Sequence, residues 1–400
     1  MQKISKRILF IPDLFRGNGS GAVVTQVLTR VFIHKGFEVG VISSEFQQFF
    51  IAEDEVSCYP CPQYTGVANL RSRKYLKAFI SVLSEFQPTH LFFDGSISNK
   101  PICYLKEGLR RNLNITVFIF MQDFFCAKLY ANNSISPCTK CLDGGLLSSL
   151  TSSCGVKKMG FFRLLERCRT RFLLKKYLAK VSHVGTSTDE QVDFYFKFGI
   201  PRAITFKLPL PFDDSKVVGL NPRRGKYFVG IAQNRLEKGF HLIPEVIKHT
   251  KASIILAFYN EEEVRYNSSN AQLASFIETG QLTLIASSWK TGLGEIIANA
   301  QGVLIPSIWP TTTEFGWLEA LSLGKPTITF DIGAHHEYIK NRINGMVSPI
   351  SDYLSMGKNI DYIDSLSDEQ YKVMTGEVYR LYEQLSSRKG WESFADNIDA

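Results

Sequence analysis

The residue types best suited to chemistry fall in two short stretches. Residues 306–326 read PSIWPTTTEFGWLEALSLGKP: three threonines, Thr311–Thr313, two carboxylates, Glu314 and Glu319, around a Phe315-Gly316 pair, and a helix-like run that closes at Gly324. A strand end, a loop rich in hydroxyls and backbone donors, and a helix start coincide there, and in an open α/β sheet that is where ligands bind. A carboxylate in such a loop accepts two hydroxyl hydrogen bonds at once. Residues 235–239 read RLEKG and place Arg235 and Lys238 just ahead of another expected helix. Cations are locally unfavourable at a helix N-terminus, so two of them there make sense with an anion bound between them.

The elements that must position these residues follow from hydrophobic patterning. RILFIP, FEVGVIS, THLFFD, NITVFIF and VSHVGTS read as buried strands, separated by helical runs such as AVVTQVLTRVFIHKG and RKYLKAFISVLSEF. KYFVGIA, ASIILAFY, QLTLIAS, GVLIPS and PTITFD repeat the pattern further on, with KGFHLIPEVIKH, NAQLASFIETG, GLGEIIANA and GWLEALSLG as intervening helices. Strand-then-helix order argues for parallel sheets with helices on both faces. With 400 residues, 44% apolar and 21% charged, the chain is long for one core and divides by default into two domains. FKLPLPFDDSK and GLNPRRG, rich in Pro, Gly and polar residues, read as the connection. The expected fold class is therefore α/β, with two facing Rossmann-like domains and a cleft between the carboxyl ends of their sheets.

The first βα turn, Gly17-Asn18-Gly19-Ser20-Gly21-Ala22, leaves two readings open. It fits a dinucleotide fingerprint with Ala22 at the sixth position, and Glu45 follows the second strand roughly where an acid would hold a ribose. It equally fits a plain tight turn, or a loop whose amides at Gly19 and Gly21 face a phosphate or a sugar.

The second half resembles the retaining glycosyltransferases of family 4. VGIAQNRLEKGFHLIPEVI is similar to that family's strand-loop-helix with a Lys-Gly pair. The stretch from PSIWPTTTEFG to NRINGMVSP keeps the order Phe-Gly, Glu-Ala, Gly-x-Pro and Gly-x-x-x-Glu (Gly333 to Glu337), and IPDLFRGNGSGAVVTQVLTRVFIHKGFEVGVIS is similar to the opening unit. The resemblance implies a GT-B fold, with an acceptor-side domain over 1–205, a nucleotide-sugar donor domain over 206–385, and a terminal helix over 386–400 crossing back to the first domain, where Trp391 and Phe394 are the expected anchors. It implies retention of anomeric configuration and no metal or cofactor for catalysis. A nucleotide sugar is the donor and a glycan or lipid-linked molecule the acceptor.

Carried over residue by residue, Glu319 holds the donor ribose, and Phe315 and Gly316 present amides near the diphosphate. Lys238 contacts the diphosphate and stabilises charge as the glycosidic bond breaks. The sequence departs from the family at three places. The first glutamate of the paired-glutamate signature falls on Thr311; either Glu314 substitutes for it, with Thr312 and Thr313 assisting, or the Thr311–Thr313 hydroxyls replace it, and Glu314 is the expected substitute. The family arginine falls near Ala232 and Gln233, leaving Arg235 as substitute. The family His-Asp is Gln122-Asp123, with Asp123 retained for contact with a sugar hydroxyl. These departures keep two other classes open: a sugar-nucleotide epimerase or dinucleotide-dependent enzyme on the same kind of fold, and a non-catalytic sugar-nucleotide-binding protein.

Charge and cysteines bear on partners. The net charge is +8, and between Lys157 and Lys180 nine Lys or Arg face one acid, Glu166. Phe161, Leu164, Leu165, Cys168, Phe172, Leu173 and Tyr177 recur there as an expected apolar stripe. Such a helix either packs on its own domain or meets an anionic membrane or substrate; no zinc-finger, KH or RRM signature points to nucleic acid. No apolar run reaches the ~20 residues of a membrane span, and the expected location is cytoplasmic, with peripheral membrane contact. Of eight cysteines, Cys126, Cys138, Cys141 and Cys154 resemble a cysteine-containing insertion of some family members. They admit structural zinc, although an inert reduced set is the simpler expectation.

Overall fold

Apolar runs of four to six residues, too short for a helix and too continuous for a half-exposed sheet, become strands covered on both faces. In strand β1 (Arg7–Ile11) four successive side chains, Ile8 to Ile11, are buried. The computed structural model describes residues 6–12, 20–43, 56–60, 72–95, 97, 100–119, 161–212, 215–233, 236–309, 312–386 and 388–399. The chain separates into two compact units, one built mainly from residues up to Phe212 together with Ser387–Ala400, the other from Asp213–Ser386.

In the first unit β1 is joined by β2 (Glu38–Ser43), β3 (Val56–Pro60), β4 (His90–Asp94), β5 (Asn114–Phe118), β6 (His183–Thr186) and β7 (Thr205–Lys207). The order is β3-β2-β1-β4-β5-β6-β7, and every neighbouring pair is parallel. The second unit contains β8 (Tyr227–Ile231), β9 (Ser253–Phe258), β10 (Leu282–Ala286), β11 (Gly302–Ile305), β12 (Thr327–Phe330) and β13 (Gly345–Ser348). Their order is β10-β9-β8-β11-β12-β13, again all parallel. Strand order reverses between β1 and β4 and between β8 and β11. At such switch points the loops leaving two adjacent strands diverge and open a crevice at their carboxyl ends.

Two elements differ from the reading of the sequence. The run KGFHLIPEVIKH opens as a 3₁₀ turn, Phe240–Leu242, and becomes α-helical only over Ile243–Ile247. Pro244, which has no N–H to give, sits in the first turn of that helix, where none is needed. The basic helix, Phe161–Leu178, buries Thr170, Leu174 and Leu178, one turn apart from each other. Phe172 and Leu165, members of the expected single apolar stripe, do not share this buried face: Phe172 is 69% exposed, and Leu165 is also exposed. Apolar residues occur around more of this helix than one stripe requires, and the face centred on Leu174 is the one that joins the core with Val181 and Tyr195. Among the described residues no helix is long and apolar enough to cross a membrane.

The terminal helix Lys389–Asp396 is held by aromatic packing within the first unit. The Trp391 ring stands edge-on to Phe118, centroids 4.6 Å apart, and its indole N–H donates to the Pro209 carbonyl at 2.8 Å. Phe394 stacks on Phe206 at 4.6 Å. Past the helix, Asp399 lies 2.7 Å from His90 Nε2 and 2.8 Å from Lys6 Nζ. A Trp391→Ala chain loses a fully buried ring and leaves a cavity, so its stability in urea unfolding should fall by about 3–5 kcal/mol. A loss below about 1 kcal/mol would mean that the ring does not anchor the helix.

Candidate functional site

Lys238 and Glu314 come from loops that leave the adjacent strands β8 and β11. The 3₁₀ turn Leu236–Lys238 carries the lysine. Gly239 follows with φ +72°, and a Cβ there would stand 1.8 Å from the Pro306 carbonyl oxygen. Only glycine allows the two loops to touch in this way. The Glu237 carbonyl then accepts the Ile308 N–H at 3.1 Å and lies 3.5 Å from the Ser307 hydroxyl.

Glu314 is the N-cap of the helix Phe315–Ser322, and its carbonyl accepts from the Trp317 and Leu318 amides. Its Oε1 lies 3.0 Å from Lys238 Nζ and also accepts the Ser307 hydroxyl. The carboxylate is buried, at 8% side-chain exposure, whereas the lysine keeps 27%. Burial is the largest single influence and pushes the Glu314 pKa up, but Lys238, the His335 imidazole and the Ser307 hydroxyl together outweigh it and hold the group below the ordinary carboxylate range. The result is an ionised carboxylate with a cation that can still reach solvent. Gly316, in the first turn, brings the helix close to β8: a Cβ there would approach Ile231 Cδ1 to 3.2 Å.

Glu319, one helical turn further on, belongs to a different cluster. It is 3.5 Å from Lys216 Nζ, and Lys216 and the Trp289 side chain both favour its charged form. Lys216 also lies over the Trp289 ring, 5.8 Å from its centroid. Burial raises the Glu319 pKa despite these partners. Such a carboxylate gains from additional hydroxyl donors.

The structure thus brings Lys238 and Glu314 together and sets Glu319 nearby on the same helix. Thr312 is buried, and the Thr313 hydroxyl donates to the Thr312 carbonyl. Gly21 belongs to the first unit, where its carbonyl is 3.2 Å from the Thr25 hydroxyl; that hydroxyl donates to the buried Asp94 at 2.7 Å. Gly19, Asp123, Arg235 and Thr311 lie outside the described residues, as do Cys126, Cys138, Cys141 and Cys154. Among the described residues no group of three or more His, Cys, Asp or Glu is placed to hold a metal. Lys216, Trp289, Ser307 and His335 were not singled out from the sequence. Nothing in their local pattern marks them, because each is recruited across the fold.

His335, in the short helix Ala334–Tyr338, is fully buried, and its ring meets Trp317 edge-to-face at 5.1 Å. Burial lowers its pKa to about 4. Between about pH 6.5 and pH 4 the unfolded chain therefore takes up a proton that the folded chain refuses, and stability falls as pH drops through that window. The contribution of this residue is on the order of 3 kcal/mol. Denaturant titrations of wild type and His335→Phe across the window should diverge by that order as the pH rises, with the variant the flatter. Parallel curves would mean that the imidazole is not held neutral.

Residues 212–377, most of the second unit, match the family model described as glycosyl transferases group 1. No curated protein matches the chain in sequence. Among solved structures, a glycosyltransferase from Rickettsia africae superposes with a TM-score of 0.70 at 12% identity, covering 99% of both chains. Sucrose-phosphate synthase from Thermosynechococcus elongatus gives 0.67 at 10% identity over 98% of both chains. Anabaena HepE in complex with UDP-glucose gives 0.64 at 11% identity over 98% of each. Similarity of this extent shows the fold: two parallel-sheet Rossmann-like domains of the GT-B type.

Proposed function

We propose that the chain is a retaining glycosyltransferase of the family 4 kind. It moves a sugar from a nucleoside diphosphate donor to a glycan or lipid-linked acceptor, in the cytoplasm and in the service of surface polysaccharide synthesis. The observation that carries this reading is the Lys238–Glu314 pair at the β8/β11 switch point, inside the region that matches the glycosyl transferases group 1 model. The complex of HepE with UDP-glucose supports a uridine donor as the first to test.

In this reading the Lys238 ammonium turns to the donor diphosphate and stabilises the charge that accumulates as the glycosidic bond breaks. The amides of Phe315 and Gly316, in the first turn of a helix, face the same anion. Glu314 stands where the first signature glutamate acts and contacts the sugar, with Thr312 and Thr313 beside it and Arg235 as a second cation. Glu319 exchanges its long contact with Lys216 for two ribose hydroxyls. Asp123 and the glycine turn at Gly19 and Gly21 are the first unit's candidates for sugar or phosphate contact. Lys238→Ala should lower turnover more than tenfold with the fold intact. Glu319→Ala should weaken UDP binding in calorimetry by about 2–4 kcal/mol, because two bound hydroxyls lose a charged acceptor. Unchanged UDP affinity in the second variant would remove Glu319 from the site.

The helix Phe161–Leu178 supports peripheral contact with anionic membranes. Leu165, Arg169, Phe172 and Lys176 recur at helical spacing, and all four are exposed, so an apolar and basic face is presented away from the buried Leu174. Each cation near an anionic surface contributes about 1 kcal/mol. In flotation assays the protein should rise with anionic liposomes at low salt and not with neutral ones. Equal recovery from both, or none from either, would leave the helix a structural element.

A further inference from the structure

We propose that His335 is a reserve partner for Glu314, a positioning residue whose imidazole N–H takes up the carboxylate when Lys238 leaves it for a bound diphosphate. The inference goes beyond the donor-site reading but rests on it for the identity of the diphosphate. A buried carboxylate that loses its only cation is strongly destabilised unless another donor replaces it. The replacement must already be close, buried and unengaged. His335 is fully buried and packs on the helix that Glu314 caps. It is unengaged: among the described residues neither Nδ1 nor Nε2 has a hydrogen-bond partner. Such orphaned groups are rare in folded proteins. Its ring packs on Trp317, whose amide donates to the Glu314 carbonyl, so the imidazole adjoins the helical turn that Glu314 begins. The charged groups that act on the imidazole are Glu314 and Asp331, which favour its protonation, and Lys238, which opposes it. Asp331 is already engaged by its neighbour His336 at 2.8 Å. Withdrawing Lys238 removes the opposing charge and leaves Glu314 as the acceptor.

Lys238→Met tests the exchange without any nucleotide. In that variant His335 should bond Glu314, and the ring's ¹⁵N and ¹H NMR signals should titrate well above their position in wild type. Adding His335→Phe to Lys238→Met should cost more stability than the two single changes added. Adding His335→Gln, which keeps an N–H donor, should restore most of that excess. UDP at saturation, as the probe, should move the wild-type imidazole signals in the same direction as Lys238→Met does. An unmoved imidazole in Lys238→Met, or additive stability losses, would overturn the proposal. If the double variant does not fold, the NMR titration of the single variant decides. Failure of UDP to bind wild type would sink the nucleotide reading, while an exchange seen in Lys238→Met would stand.

Discussion

A carboxylate taken out of water needs a partner, and for Glu314 that partner lies 76 residues earlier in the chain. The pair exists because β8 and β11 are neighbours in a parallel sheet, so the loops leaving their carboxyl ends must run side by side. Contact then depends on Gly239, whose missing Cβ leaves room for the Pro306 carbonyl, and on the Glu237 carbonyl, which holds the Ser307–Ile308 segment in place. The ammonium, the carboxylate and the first turn of the helix Phe315–Ser322 are fixed relative to one another by this arrangement. Burial alone would favour protonated Glu314, and the partners around it offset that.

The two carboxylates of this helix show how partners rather than exposure divide their behaviour. Glu314 and Glu319 are almost equally buried, at 8% and 7% side-chain exposure. Glu314 has a close ammonium and a hydroxyl and is held below the usual carboxylate range; Glu319, with a lysine at 3.5 Å and an indole, is pushed above it. The first is therefore preorganised as a fixed charge, which suits an electrostatic role. The second is incompletely satisfied and has hydrogen bonds to gain, which suits a ligand rich in hydroxyls. The proposed division between sugar and diphosphate at Glu314 and ribose at Glu319 follows that difference.

Lysine burial elsewhere in the second unit has a different character. Lys325 is 2% exposed, donates to the carbonyls of Arg223 and Ala300, and has its pKa lowered by burial to about 8. It ties the segment before β8 to the start of β12 and has no carboxylate in reach of a described hydrogen bond. A cation that faces backbone carbonyls is a brace, whereas one that faces a carboxylate at a strand end and keeps access to solvent is available to a ligand. The distinction separates Lys238 from Lys325 more firmly than either residue's burial.

The fold was legible in the sequence because strand and helix each impose a period on apolar residues, and because the short βα connections of this chain make parallel pairing the economical solution. Lys238 and Glu314 were legible for a related reason: each stands at a strand-to-helix transition, a place the pattern reveals locally, whereas Glu319, inside the helix Phe315–Ser322, was legible through the Glu-Ala step of the resemblance. The start of the helix after Lys238 was not, since a 3₁₀ turn has no distinct apolar period, and neither was the exposure of Phe172, because periodicity shows that a face is apolar but not which face a neighbour will cover. The sequence by itself determined the alternation of elements and the candidate residues at their ends. Only the tertiary structure decided that Lys238 pairs with Glu314, that Lys216 and Trp289 gather on Glu319, and that His335 is buried with no hydrogen-bond partner among the described residues. Those facts depend on strand order and on loop contacts between residues distant in the chain, which no local spacing encodes.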